Sequence, residues 1–271
     1  MPYATPPGGL PPQTGRARDR AVFTTAYAVI PADVQRDIVT SYLPGWTDCR
    51  AWILARPLSG FAETFAWLVV EIAPGGGAET PEPDPAGQGV IFVSDGEIEL
   101  TIGDTPHVLF AGGYAYLPAG ADWHIRSARG ATLHWVRKRW EPAPGLTPPA
   151  AFVTTDEATA PIPMPDTDGA WATQRFADPA DLAHDMHVNI VTFRPGASIP
   201  FAETHVMEHG IYVIEGHAAY LLNDTWVEVG PGDFLWLRAF CPQACIAQGP
   251  GPFRYLLYKD VNRHPRLGPP R

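Results

Sequence analysis

Three side chains able to bind a metal fall within seven residues: Glu203, His205 and His209, in the stretch Phe201-Ala202-Glu203-Thr204-His205-Val206-Met207-Glu208-His209-Gly210. Two chemistries compete for them. The letters His205-x-x-Glu208-His209 match an inverzincin zinc signature, which works only if a helix sets both imidazoles on one face. In an extended chain, by contrast, Glu203 and His205 point to the same side, and a turn near His209 can return that ring to the same side. A fourth ligand would then come from a later strand. The candidate is Gln243, in Phe240-Cys241-Pro242-Gln243-Ala244.

The flanking elements favour the extended arrangement. Pro200 precedes the stretch, Gly210 ends it, and Ile211-Tyr212-Val213-Ile214 is a short β-branched and aromatic run bounded by Glu215-Gly216. Gln243 likewise follows the strand-like Asp233-Phe234-Leu235-Trp236-Leu237. Ala51-Trp52-Ile53-Leu54, Phe65 to Ile72 and Gly89-Val90-Ile91-Phe92-Val93 read as further strands, and Pro31 to Ile38 as one short helical turn. With 31 Pro and 26 Gly in 271 residues, the chain is punctuated too often for long helices, so the expected class is all-β.

Composition bounds the partners. A net charge of −10 opposes binding to nucleic acid, whose phosphates demand a basic surface. No apolar run approaches the ~18 residues needed to span a membrane, and Met1 to Gly9 has no basic region leading into an apolar one, so neither a membrane span nor a secretory signal is expected. Three cysteines, Cys49, Cys241 and Cys245, form an odd and sparse set that suits a reducing, cytoplasmic compartment. Cys241 and Cys245 read as free buried thiols rather than a metal pair. Lysine is scarce: Lys138 and Lys259 stand against 17 arginines among 19 basic residues.

The chain is internally duplicated. Pro74-Gly75 recurs 121 residues later as Pro195-Gly196, Gly89 as Gly210 at the same offset, Gly96 as Gly216 at 120 and Gly113 as Gly232 at 119. The implied organisation is a weakly packed segment over 1–20, a first unit over 21–145, a Pro, Ala and Thr rich linker over 146–168, and a second unit over 169–271. Carrying the second unit's ligands back by these offsets lands on Glu82, Asp84, Gln88 and His124. Both central imidazoles are missing there, and prolines at 81, 83 and 85 constrain the backbone, so the first unit is expected to bind no metal.

Two such copies, each with a Pro-Gly turn, a ligand cluster and a Gly-Asp or Gly-led strand before a late ligand, resemble the bicupins, whose units are jelly-roll barrels with ligands on the inner face. The set Glu203, His205, His209 and Gln243, with Tyr255-Leu256-Leu257-Tyr258-Lys259-Asp260-Val261-Asn262-Arg263 near the end, is similar to the (S)-ureidoglycine aminohydrolase family of allantoin breakdown. The resemblance spans both units and is densest from Pro195 to Arg263. It implies an Mn(II) enzyme, active in its second cupin, with Glu203, His205, His209 and Gln243 on the metal and Tyr220, Tyr255 and Lys259 on the substrate. Lys259 is then the group expected to manage protons or anchor the carboxylate, with Tyr220 and Tyr255 orienting. A small ureido acid as partner and a homo-oligomer as assembly follow from the same likeness. Asp185-Met186-His187-Val188-Asn189 departs from the family, where the His and Asn positions are exchanged.

The donors point the same way without the family. One carboxylate, two imidazoles and one amide carbonyl, with no thiolate, suit Mn(II) or Fe(II), allow Ni(II), and give Zn(II) no special advantage. Two further readings stand beside the hydrolase. One is a metal-dependent bicupin oxygenase or isomerase acting on another small carboxylate, and the other is a bicupin that binds without turnover. His184 and His187 read first as satisfied structural residues, with support of the site as the alternative.

Overall fold

The computed structural model describes residues 20–35, 41, 43–57, 62, 64–260 and 263. Residues 1–19 of the expected N-terminal segment 1–20 therefore lie outside the described residues, as do 36–38 of the expected helical turn, of which Ala32–Val34 forms a single 3-10 turn. Every other regular element among the described residues is a strand.

Strands that alternate their side chains between two apolar environments produce three cores. Leu68, Val70, Ile91, Val93, Leu100 and Trp135 fill a first barrel, and Val191, Phe193, Ile211, Val213, Tyr220 and Leu235 fill a second. The outer faces of the same strands meet in a third core, built from Phe65, Trp67, Tyr114, Trp236, Tyr258 and their neighbours. Each of these buried aromatic side chains contributes on the order of 1.5–3 kcal/mol, so the barrels are joined by a true core rather than a loose contact. Two jelly-roll-type barrels packed face to face thus form the all-β architecture expected from the repeat.

The partition of the chain between barrels differs from the linear one. Val22–Phe23 and Tyr27–Ile30, assigned above to the first unit, form a hairpin on the edge of the second barrel, where Tyr27–Ile30 pairs with Phe234–Leu237. Phe152–Thr155, assigned to the linker, pairs with Gly113–Leu117 of the first barrel. Ile162–Pro163, also from the linker, pairs with Trp171–Gln174. Each unit's leading strand therefore crosses to the other's sheet. The side chains show why: Tyr27 and Val29 enter the second core and Ala28 the core between barrels, a burial that neighbours in sequence do not offer.

The structural repeat is also offset from the linear one. Gly96 and Gly216 are true counterparts: φ is +76° and +77°, and a Cβ would lie 2.3 Å from Gly130 O in one and 2.1 Å from Pro252 O in the other. Counting along their strands makes Leu100 and Ile102 equivalent to Tyr220 and Leu222. Ile102 pairs with Trp123 and Leu222 with Gln243, so the counterpart of Gln243 is Trp123 and not His124. Similarly, His209 lies opposite Lys259 and Gly89 opposite Arg137, each two pairs before a core residue of the same face, Ile211 and Ile91. A shift of one residue in a strand changes the face on which a side chain stands. Gln88 accordingly faces the space between barrels, where it bonds Asp185 and accepts from Tyr116 at 2.8 Å.

Candidate metal and substrate site

The residues expected to hold a metal converge at one mouth of the second barrel. Glu203 and Gln243 form an isolated β-bridge, each N–H donating to the other's carbonyl at 2.9 Å, which brings residues 40 apart in sequence side by side. His205 follows two residues after Glu203, its Nε2 3.2 Å from Glu203 Oε1. Its carbonyl accepts the N–H of Phe240 at 2.6 Å, a contact that helps to hold Phe240 at φ +62°, an unfavourable conformation for a bulky residue. His209 opens the strand His209–Glu215, and its ring centroid lies 5.1 Å from that of His205.

The donors fit a metal in kind. His209 Nδ1 lies 3.1 Å from the carbonyl of Met207, a contact that, with Nδ1–H as donor, leaves Nε2 as the ring's lone pair. Burial lowers the His209 pKa to about 3, with the neighbouring His205 and Lys259 charges adding to the shift, so the ring is neutral and able to coordinate at neutral pH. Gln243 Oε1 accepts from the Tyr220 hydroxyl at 2.9 Å and, as a carbonyl oxygen, retains a second lone pair. As placed, no group of three His, Cys, Asp or Glu side chains among the described residues is assembled to hold an ion.

Glu208 belongs elsewhere. Its Oε2 accepts the N–H and hydroxyl of Thr64 at 2.9 and 2.5 Å, and its Oε1 accepts Trp236 Nε1 at 2.5 Å. The strand following His209 rules out the helix that the inverzincin pattern requires, and Glu208 serves the joint between barrels.

Tyr220, Tyr255 and Lys259 line the barrel beneath and beside these donors. Tyr220 and Tyr255 are 1 % and 4 % exposed, their rings 6.3 Å apart, and burial raises both phenols well above their ordinary range, so each remains a protonated donor. Lys259 stands across from His209 on one side and from His187 on the other. Burial lowers its pKa, and the positive charge of Arg175 lowers it further. No carboxylate among the described residues pairs with it. The other lysine, Lys138, lies between the barrels with Asp185 Oδ2 at 2.8 Å.

The first barrel offers a different mouth. Arg137, the counterpart of Lys259, donates to both oxygens of Glu82, through Nε at 2.7 Å and through Nη2. Asp84 pairs with Arg139 at 3.0 Å, and Trp123 packs edge-on against Trp135 where the second barrel has Gln243. The four residues reached by linear offset, Glu82, Asp84, Gln88 and His124, do not form a common site.

Comparison with known proteins identifies the domain type of both units. Residues 68–136 and 189–258 each match the cupin domain. Over 250 residues, the chain is 33 % identical to the Oryza sativa subsp. japonica protein called probable (S)-ureidoglycine aminohydrolase, covering 92 % of this chain and 77 % of that one. The chain belongs to the (S)-ureidoglycine aminohydrolase family. The Arabidopsis thaliana (S)-ureidoglycine aminohydrolase is 31 % identical over 91 % of this chain and 79 % of its own. A solved Pseudomonas aeruginosa protein described as glyoxylate-induced is 56 % identical with TM-score 0.91, each chain covered completely.

For an aminohydrolase, the barrel face holds more than the sequence singled out. Arg175, one residue beyond the strand Trp171–Gln174, influences Lys259 but has no motif to mark it among 17 arginines. Asn189 is 4 % exposed on the inner face. Of the two histidines for which support of the site is the alternative to a structural role, His187 lies on that face beside Lys259, whereas His184 stacks edge-on to Tyr116 at 4.8 Å between the barrels.

Proposed function

We propose that this chain hydrolyses (S)-ureidoglycine to (S)-ureidoglycolate and ammonia in purine breakdown, with Mn(II) held by Glu203, His205, His209 and Gln243. The observation that carries the reading is the inner face of one barrel mouth in a member of this family: Lys259, free of any described carboxylate, lies opposite His209, whose ring neighbours His205 and, through it, the Glu203–Gln243 bridge. The reaction breaks one carbon–nitrogen bond and forms one carbon–oxygen bond. The departing amine gains a proton and the entering water loses one.

When bound, the metal supplies Lewis acidity and a fixed anchor for an anionic chelating substrate. The chain's own groups do the rest. Lys259 binds the substrate carboxylate or, because its pKa is lowered, passes a proton to the leaving amine and recovers one from water. Tyr220 and Tyr255, kept protonated by burial, donate hydrogen bonds that fix which face of the substrate is open to attack. A reducing, cytoplasmic setting belongs to the same reading and is supported by three free thiols, Cys49, Cys241 and Cys245. Homo-oligomerisation is inferred from family membership, with light scattering on the purified chain as its check.

The test is ammonia release from freshly generated (S)-ureidoglycine, with and without added Mn(II), against spontaneous decay. Metal-dependent acceleration with ureidoglycolate of one hand as product supports the reading. No acceleration from protein carrying a full equivalent of metal refutes it, and oxygen consumption on another small carboxylate would replace it with redox chemistry.

A further inference from the structure

Asn189 carries a buried acceptor with nothing to accept. Its Oδ1 is fully enclosed and has no hydrogen-bond partner, although the residue is 4 % exposed. Leaving such a group unpaired costs about 1–3 kcal/mol, a cost that is recovered if a ligand supplies the donor. The direction of the side chain follows from its strand. In His187–Phe193, Val191 and Phe193 enter the core of the second barrel while Val188 and Ile190 enter the core between barrels, so Asn189 points inward.

Its neighbours define what that ligand carries. Asn189 pairs in register with Leu257, two pairs inside the His187–Lys259 pair and on the same face, so Lys259 is its diagonal neighbour across about 7–8 Å. On the other side, Arg175 follows the Gln174–Ile190 pair. An acceptor set between two cations cannot take an anion. A molecule that places a carboxylate on the cations and a neutral N–H on the amide oxygen satisfies all three groups together.

We propose that Asn189 is a specificity residue, whose Oδ1 accepts the terminal N–H of a carbamoyl group in a substrate whose carboxylate lies toward Lys259 and Arg175. This rests on the reading of the barrel mouth as a ureido acid site and names the side chain that recognises the ureido end.

Two stable ligands separate that contact from the rest. N-carbamoylglycine and N-acetylglycine have the same shape and carboxylate, but the second has a methyl group where the first has the terminal amine. Calorimetric titration of Mn(II)-loaded protein should show N-carbamoylglycine binding about tenfold or more tightly than N-acetylglycine, and Asn189→Ala should erase the difference while metal content stays unchanged. Equal affinities in the unmodified protein overturn the proposal, whether or not the variant folds. So does a preference that survives in Asn189→Ala. Ureidoglycine turnover is scored separately: a protein that discriminates between the two ligands yet releases no ammonia supports the assignment of Asn189 and refutes the reaction.

Discussion

The two lysines of the chain should respond in opposite ways to the same substitution. Lys259→Met removes an ammonium that has no described carboxylate partner and whose charged form burial already disfavours. Methionine keeps the unbranched apolar stem and adds no cavity of consequence, so folding should be unchanged or slightly improved. Loss of a proton-transfer group lowers kcat by roughly 10²–10⁴-fold, or about 3–5 kcal/mol of transition-state stabilisation. Lys138→Met does the reverse. It strips the 2.8 Å partner from Asp185, whose side chain is 5 % exposed, and leaves a buried carboxylate underpaired. Asp185 keeps the Glu141 N–H at 2.8 Å, the Gln88 amide and Arg263 at 3.7 Å. The cost therefore falls at the low end for a broken buried pair, about 3 kcal/mol. For a chain of this size that is roughly 6–12 °C in Tm. Stopped ammonia assays at saturating substrate, metal analysis and scanning calorimetry on both variants decide the matter. A Lys259→Met protein turning over near the unmodified rate, or a Lys138→Met protein as stable as the parent, refutes the division of labour drawn from their partners.

Other consequences are quickly stated. Because Lys259 has a lowered pKa when folded, the unfolded chain binds more protons between that value and the ordinary 10.5, so its contribution makes stability rise with pH in that window. Urea unfolding of metal-free protein across alkaline pH should show a component of the slope that Lys259→Met abolishes, and identical slopes would contradict the buried environment. Metal analysis after reconstitution should find one equivalent per chain, because Arg137 and Trp123 fill the positions of Lys259 and Gln243 in the first barrel; two equivalents would overturn that assignment. Glu208→Gln should lower Tm through its bonds to Thr64 and Trp236 and weaken metal binding through the placement of His209, while the metal-saturated folded fraction keeps its kcat. Abolished turnover at full stability would instead restore the inverzincin role.

Local chemistry was legible in the sequence wherever it depended on spacing along one strand. Glu203 and His205 share a side because they are two residues apart, and Gly210 with the β-branched run after it marked the strand that His209 opens. Gln243 was reachable because the repeat pointed to a late ligand, and the bridge to Glu203 places it there. What failed was counting across elements. Offsets of 119 and 121 taken from glycines pointed to His124 and Gln88, whereas the strand registers select Trp123 and Gly89. Loop lengths differ between the copies, and an error of one residue is a change of face. The crossing strands were hidden for another reason: Tyr27–Ile30 and Phe152–Thr155 carry apolar residues that any exposed sheet edge could accept, and their order in the chain does not say which barrel provides it.

The joint between the barrels explains what a barrel without the ligand set contributes to the other's chemistry. His209 must leave the turn after Glu208 with its ring facing inward. Thr64, from the first barrel, holds the Glu208 carboxylate through its N–H and hydroxyl, while Asp260 Oδ1 accepts the Glu208 N–H at 2.7 Å. Gly210, next along, lies so close to Phe65 that a Cβ would come within 2.8 Å of its ring. Both contacts come from the first barrel's Thr64–Phe65 pair and flank His209 on either side in sequence. A ligand on a free turn would sample many positions and lose the precision that a metal site requires. The first barrel thus acts on the reaction through backbone placement, and loosening Phe65 should reduce metal affinity before it unfolds either barrel.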